Sequence, residues 1–147
     1  MHDVISNRRL LLATLPLLLV ACATDGRVDH RVHVRNVGKA EVVAFSYTYG
    51  SLGRRETPRL GLGGDSVTMP MRIPEVVNVN WTNENNGARH SVAIPLQSKL
   101  SMAQASGRTV RFDIDGDTLC VYLITRQPAF QEQSERIFSY KNGVVEQ

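Results

Sequence analysis

Val76-Val77-Asn78-Val79-Asn80-Trp81-Thr82 is followed at once by Asn83-Glu84-Asn85-Asn86-Gly87 and then by Arg89-His90-Ser91-Val92-Ala93-Ile94-Pro95-Leu96. The first stretch alternates with period two: Val77, Val79 and Trp81 fall on one side, Asn78 and Asn80 on the other. The last stretch alternates again through Val92, Ile94 and Leu96. Successive side chains of a strand point to opposite faces, so both runs read as strands with one buried face. The amide- and glycine-rich segment between them is a turn, and the three pieces read as a β-hairpin.

The same pattern spreads in both directions. Arg31 to Asn36 alternates around Val32 and Val34, and Glu41 to Tyr49 is rich in β-branched and aromatic residues, with Gly38-Lys39 as a turn between them. Ser66 to Arg72 reads as a short strand near Pro70 and Pro74. Val110, Phe112 and Ile114 alternate with Arg111 and Asp113, and Asp115-Gly116 reads as a tight turn. Thr118 to Thr125 is apolar on both faces, as a central strand is. Ile137 to Tyr140 and Val144-Val145 close the chain as a hairpin around Asn142-Gly143. Ser98 to Ser106 has room for a helical turn or two, and Gln131 to Arg136 reads as helix or loop. Gly50 to Asp65, with its glycines and with Arg54, Arg55 and Arg59, reads as a long loop. The expectation is an all-β protein: one antiparallel β-sandwich, Ig-like or related, over residues 31–147, with a small β-barrel as the alternative.

Upstream, Arg8-Arg9 precedes an almost wholly apolar run from Leu10 to Val20 that ends in Leu19-Val20-Ala21-Cys22. The run has the length of a signal-peptide core and is short of the ~20 residues a spanning helix needs. Leu19 to Cys22 resembles a bacterial lipobox. That resemblance implies that residues 1–21 are a signal peptide, that Cys22 carries a covalent diacylglycerol, and that residues 22–30 tether the domain to the membrane. Arg8-Arg9-Leu10 also fits a twin-arginine export signal, although the leucine run favours the general secretory route. Ala23, rather than an Asp, after the cysteine points to the periplasmic face of the outer membrane.

The 147-residue chain has 17 basic and 14 acidic side chains. That near balance argues against nucleic acid as the main partner. With Cys22 lipidated, Cys120 has no disulfide partner, and its apolar neighbours Leu119 and Val121 read as a buried setting for a lone thiol. Asp113-Ile114-Asp115-Gly116-Asp117 opens like a calcium loop, but Thr118 stands where glycine is needed and Ile124 where a bidentate Glu is needed. The segment reads instead as a hairpin turn with its carboxylates in water. His30 and His33, three apart on a strand, face opposite ways and cannot share a metal. Gly61-Leu62-Gly63-Gly64 lacks the Lys-Ser/Thr of a phosphate loop. Glu84 and His90 form a conceivable acid/base pair across the hairpin. No nucleophile, acid and base set stands out, so the expectation is a protein without catalytic residues, metal, cofactor or small-molecule substrate.

What remains is a binding role. Long loops on a rigid scaffold are common binding elements. The expected partner contacts are Arg54, Arg55 and Arg59 in the Gly50–Asp65 segment and Trp81, Asn83, Asn85 and Arg89 around the hairpin tip. Trp81 also reads as core, because it shares a face with Val77 and Val79. Several features together resemble a group of small periplasmic lipoproteins encoded beside type VI secretion effectors: Phe45-Ser46-Tyr47-Thr48-Tyr49-Gly50, the Gly63-Gly64 pair, the strand into Pro70, Pro74, and Val77-x-Val79-x-Trp81. Such proteins often carry cysteines after the glycine pair and a Trp between the prolines; this chain has Ser66-Val67 and Met71-Arg72-Ile73 there. The resemblance implies an immunity protein that blocks a periplasmic phospholipase toxin. The alternative is a structural or assembly lipoprotein of a secretion or envelope complex.

Overall fold

The computed structural model describes residues 25–128 and 131–146. The leader and Cys22 lie outside the described residues. Among the described residues ten strands make two sheets that pack as a sandwich, with no closed barrel. The six-stranded sheet has the order β10-β9-β8-β7-β1-β4. Its members are β1 (Val28–Asn36), β4 (Asp65–Met71), β7 (Thr109–Asp115), β8 (Thr118–Arg126), β9 (Glu132–Lys141) and β10 (Val144–Glu146). The four-stranded sheet has the order β3-β2-β5-β6, from β2 (Val42–Thr48), β3 (Arg54–Leu60), β5 (Val77–Asn83) and β6 (Arg89–Ile94). Two single-turn helices, α1 (Leu96–Lys99) and α2 (Met102–Ala105), carry the chain from β6 to β7, and Ser101 caps α2 with a reciprocal Ser101–Gln104 capping box.

The core lies between the sheets and is built by the alternation visible in the sequence. Val32 and Val34 of β1, Val77, Val79 and Trp81 of β5, Val92 and Ile94 of β6, Val110, Phe112 and Ile114 of β7, and Leu119, Val121 and Leu123 of β8 are all buried. β8 sits between β7 and β9, as its apolar composition requires. The β5–β6 hairpin forms as expected, and its register places Trp81 opposite His90. Asn142 (φ 49) and Gly143 (φ 88) both occupy the left-handed region, the backbone of a type I′ turn between β9 and β10.

Several expectations are corrected. The stretch read as a loop from Gly50 to Asp65 contains the strand β3, paired along its length with β2. Its glycines flank the strand instead of interrupting it. β3 is an edge strand that fully buries only Leu60, so it carries charges and Pro58 where a central strand would need apolar alternation. Of the Gln131–Arg136 stretch, Glu132 to Arg136 belongs to β9; its polar composition reflects exposure of that half of the strand, which backbone pairing with β8 nonetheless holds. β1 begins at Val28, inside the segment read as tether, with Val28, Asp29 and His30 opposite Met71, Pro70 and Met69. The sheet is not wholly antiparallel: β1 and β7 run parallel. Between them the chain crosses to the other sheet and back twice, so no tight turn constrains their relative direction. The turn after β7 is centred on Gly116-Asp117, with Asp115 still paired to Thr118. Cys120 is half-buried rather than buried, its Sγ 3.7 Å from Ser139 Oγ.

One irregularity decides what faces inward. Ala44 adopts φ 48, and between Val43 and Ser46 the register of β2 against β5 slips by a residue. The bulge reverses the facing of β2 at that point, so that Val42 on one side of it and Phe45 and Tyr47 on the other all reach the core.

Candidate functional site

β3 and β4 are edge strands of different sheets, joined by Gly61-Leu62-Gly63-Gly64. The connector brings the two edges together on one open side of the sandwich. Gly64 is required there by the fold. Its φ is +62, and a Cβ would stand 1.7 Å from the carbonyl oxygen of Val34. Between the edges is a cleft of about 390 Å³, floored by the rings of Phe45 and Tyr47 and walled by Arg55, Arg59, Gly61 and Asp65.

Asp65 is the centre of its polar wiring. It accepts from Arg55 Nε at 2.5 Å and Nη2 at 2.9 Å, a two-pronged pair, and from the Tyr47 hydroxyl at 2.9 Å. The Arg55 hydrogen bonds, helped by the one from Tyr47, hold the Asp65 carboxyl below the ordinary carboxylate range. Burial, reinforced by the bond to Asp65, pushes the Tyr47 phenol up, so it stays a protonated donor. Arg54 is exposed and paired with Glu56 at 3.3 Å. Arg59 pairs with Glu41 and, at 3.6 Å, with Glu84. The hydrogen bond between the two carboxyls pushes Glu84 up and holds Glu41 down. Because Glu84 starts the β5–β6 turn, the Arg59 contact joins the cleft rim to the hairpin tip.

The residues expected to touch a partner thus separate into two groups. Arg54, Arg55, Arg59, Asn85 and Arg89 have side chains at the surface or on the rim. Trp81 and Asn83 are corrected: they are 1% and 5% exposed. Both belong to a clamp between the sheets. Trp81 Nε1 donates to the Gly116 carbonyl at 2.8 Å, and its ring stacks on His90 with centroids 4.6 Å apart. Asp117 accepts from Asn83 Nδ2 at 2.8 Å, Asn86 Nδ2 at 2.9 Å and His90 Nε2 at 2.8 Å. Those bonds, Asn83's first, hold the Asp117 carboxyl low. The other His90 nitrogen lies 3.2 Å from the Tyr140 hydroxyl. The carboxylate beside His90 is therefore Asp117, 27 residues away, and not Glu84.

The remaining acidic and histidine motifs are also tied into the fold. Asp113 does not sit in water: it is buried, bonded by Arg35 at 2.8 and 3.2 Å, with Arg111 Nε 3.2 Å away. Arg111 lies over the Tyr122 ring at 5.5 Å and pairs with Glu132, which makes a charged ladder across the outer face of the larger sheet. His30 is buried. Its Nδ1 lies 2.9 Å from the Val28 carbonyl, which can only accept, so Nε2 accepts from the Tyr49 hydroxyl at 2.9 Å. Burial lowers its pKa and keeps it neutral. His33 faces the other way, as the strand reading requires, and donates to the Gly63 carbonyl at 3.2 Å. Among the described residues no three His, Cys, Asp or Glu side chains are grouped to hold a metal, and no helix is long and apolar enough to cross a membrane.

Sequence reasoning missed Tyr47, Asp65, Glu41 and Asp117 as members of these clusters. Each has its partner on a different strand or turn, 10 to 34 residues away for Arg55–Asp65, Tyr47–Asp65, Glu41–Arg59 and Asn83–Asp117. No local spacing signals such pairs. A comparison of the chain with protein-family models, curated proteins and solved structures finds no match.

Proposed function

We propose that this protein is a lipid-anchored binding module on the periplasmic face of the outer membrane, and that it acts as an immunity protein by covering the active site of a secreted phospholipase toxin. The observation that carries the reading is the continuous polar rim: the arginine-bearing edge strand β3 meets the β5–β6 hairpin tip through Arg59 and Glu84. A rim of exposed charges around a cleft, on a scaffold locked by the Asp117 clamp, suits recognition of a protein surface without rearrangement. The lipobox at Cys22 supplies the compartment, and acyl chains supply the anchor, at roughly 0.8 kcal/mol per buried methylene. The folded domain then needs no apolar membrane-facing patch of its own.

The role requires no nucleophile or metal from this chain; inhibition follows from occlusion. The test is periplasmic expression of the cognate lipase with and without this protein. Survival restored by the wild type, and lost when Arg54 and Arg59 are both changed to Glu, supports the reading. Equal killing in the presence and absence of the protein overturns it. Recovery of membrane-complex subunits instead of one soluble enzyme, when the tagged protein is isolated from the envelope, transfers support to the assembly-lipoprotein role. Cys22→Ser is expected to abolish palmitate labelling and release the protein from membranes.

A further inference from the structure

The charge of the described domain is unevenly placed. At the end where β1 starts, Asp25–Arg27 and Arg54–Glu56 cancel as ion pairs. The ladder Arg35–Asp113–Arg111–Glu132 along the outer face is neutral in itself. Beyond those pairs, this end holds Arg31, Arg72, Lys99, Arg108 and Arg126 against Asp29 and Glu75, an excess of three cations. The remaining described residues carry six cations and seven acids, the carboxylates paired with Arg55 and Arg59 included. The net positive charge of the domain is therefore gathered at the end where the chain enters it.

Three of these cations meet in one place. Arg31, Arg108 and Arg126 line a cleft of about 300 Å³ with Asp29, Thr68 and Thr109. Its frame is held by backbone: Gly107 N–H donates to the Asp29 carbonyl at 2.7 Å, and Arg31 N–H to the Arg108 carbonyl at 2.9 Å. Glu132, opposite Arg126 in the β8–β9 register, is taken by Arg111. His30 on the cleft wall adds no charge, because burial keeps it neutral. Arg72 stands at the entry itself: a Cβ on Gly26 would lie 3.7 Å from Arg72 Nε and 3.7 Å from Met102 Sδ.

Resting on the reading of Cys22 as the lipid-bearing residue, we propose that this end of the sandwich is a docking face for anionic lipid headgroups, with phosphate groups seated among Arg31, Arg108 and Arg126, and with Arg72 and Lys99 on the same surface. Cys22 is three residues before Asp25, so at ~3.3–3.6 Å per residue it lies within about 11 Å of the domain. That is about one Debye length at ~0.1 M salt, close enough for headgroup charge to act on these cations. The opposite end is about 26 Å further away, eight steps of ~3.3 Å along β1. There the β5–β6 hairpin meets Gly116 and Asp117. Docking points the hairpin tip and the Arg59 rim away from the membrane.

The chain supplies its own probes. Its three lysines are all exposed: Lys99 at the docking end, Lys39 and Lys141 at the far end. The mature protein, as isolated from the cell envelope, is placed in vesicles of phosphatidylcholine, with or without about 30% phosphatidylglycerol. Reductive methylation, whose reagents carry no charge, is followed at each lysine by mass spectrometry. Lys99 is expected to react about fivefold more slowly than Lys39 and Lys141 on the anionic vesicles, and to lose that protection on phosphatidylcholine alone or at ~1 M salt. Each cation contributes about fivefold to the docked population, so Arg108→Gln with Arg126→Gln should lower it about twenty-five-fold and free Lys99, with the unfolding midpoint kept. Arg72→Gln with Arg126→Gln serves the same purpose if that variant folds poorly. Equal rates at the three lysines, protection that ignores phosphatidylglycerol or salt, or protection that persists in the folded variants overturns the inference. So does protection of Lys99 without vesicles, by inorganic phosphate or by a captured protein partner. The mass of the same sample reports the lipid on Cys22. Lipid present without charge-dependent protection leaves the anchor standing and removes the docking face. Lipid absent with Lys99 protected on anionic vesicles keeps the face and removes the anchor.

Discussion

Replacing Asp117 by Ala should show how the two sheets are held in register. Asp117 is the common acceptor for Asn83, Asn86 and His90. Removing it strands two donors that water reaches poorly: Asn83 is 5% exposed and the His90 side chain 9%. A buried donor left without an acceptor costs about 1–3 kcal/mol, whereas the exposed Asn86 amide turns to water at little cost. The expected loss is therefore about 2–4 kcal/mol, toward the lower end because Asp117 itself is partly open to solvent. Urea unfolding read by Trp81, the single tryptophan in the chain, measures it directly, since that ring stacks on His90. With a slope of about 1–3 kcal/mol/M, the midpoint should fall by about 1–2 M with the slope unchanged. The Asp117 carboxyl is held below its unfolded value, so its contribution is present above the unfolded pKa, near ~3.9, and is lost as pH falls through the folded one. The gap between wild type and Asp117→Ala should narrow below about pH 4. A loss under about 0.5 kcal/mol, or strict additivity of Asp117→Ala with Asn83→Ala, would refute the clamp.

Three further outcomes are expected. Gly64→Ala, which drives a Cβ into the Val34 carbonyl, should destabilise by more than about 3 kcal/mol, while Gly63→Ala should stay within about 0.5 kcal/mol of wild type or gain slightly; paired thermal melts decide this. Ala44→Gly relieves a left-handed alanine in the β2 bulge and should stabilise by up to about 1 kcal/mol in the same assay. Tyr47→Phe deletes one donor to Asp65 and should cost about 1 kcal/mol. The Asp65 carboxyl pKa, followed by ¹³C NMR, should then rise toward its ordinary value without reaching it, because Arg55 remains; an unchanged Asp65 pKa would remove Tyr47 from the cluster.

The period-two runs of β1, β5, β6 and β7 were legible by themselves, because burial on one face writes itself into alternation, and β8 was legible as an apolar central run. So were the closing hairpin around Asn142-Gly143 and the inward facing of Trp81. β3 and the polar half of β9 were not, since an edge or exposed strand is held by backbone pairing that leaves no side-chain period. The parallel β1–β7 pair was hidden for a related reason: strands far apart in sequence carry no turn to announce their direction.

The sequence by itself determined a strand-rich domain of one core, an apolar run from Leu10 to Val20 ahead of Cys22, and a supply of arginines between Gly50 and Asp65. Local residue order sets turn chemistry and facing, and those follow from it. Only the tertiary structure decided that Arg55 meets Asp65 under Tyr47, that Arg59 reaches the hairpin through Glu84, and that Asp117 takes His90 and Asn83 away from any surface role. These pairings depend on how two twisted sheets stack and which edges they bring side by side, a geometry that no spacing within one segment encodes.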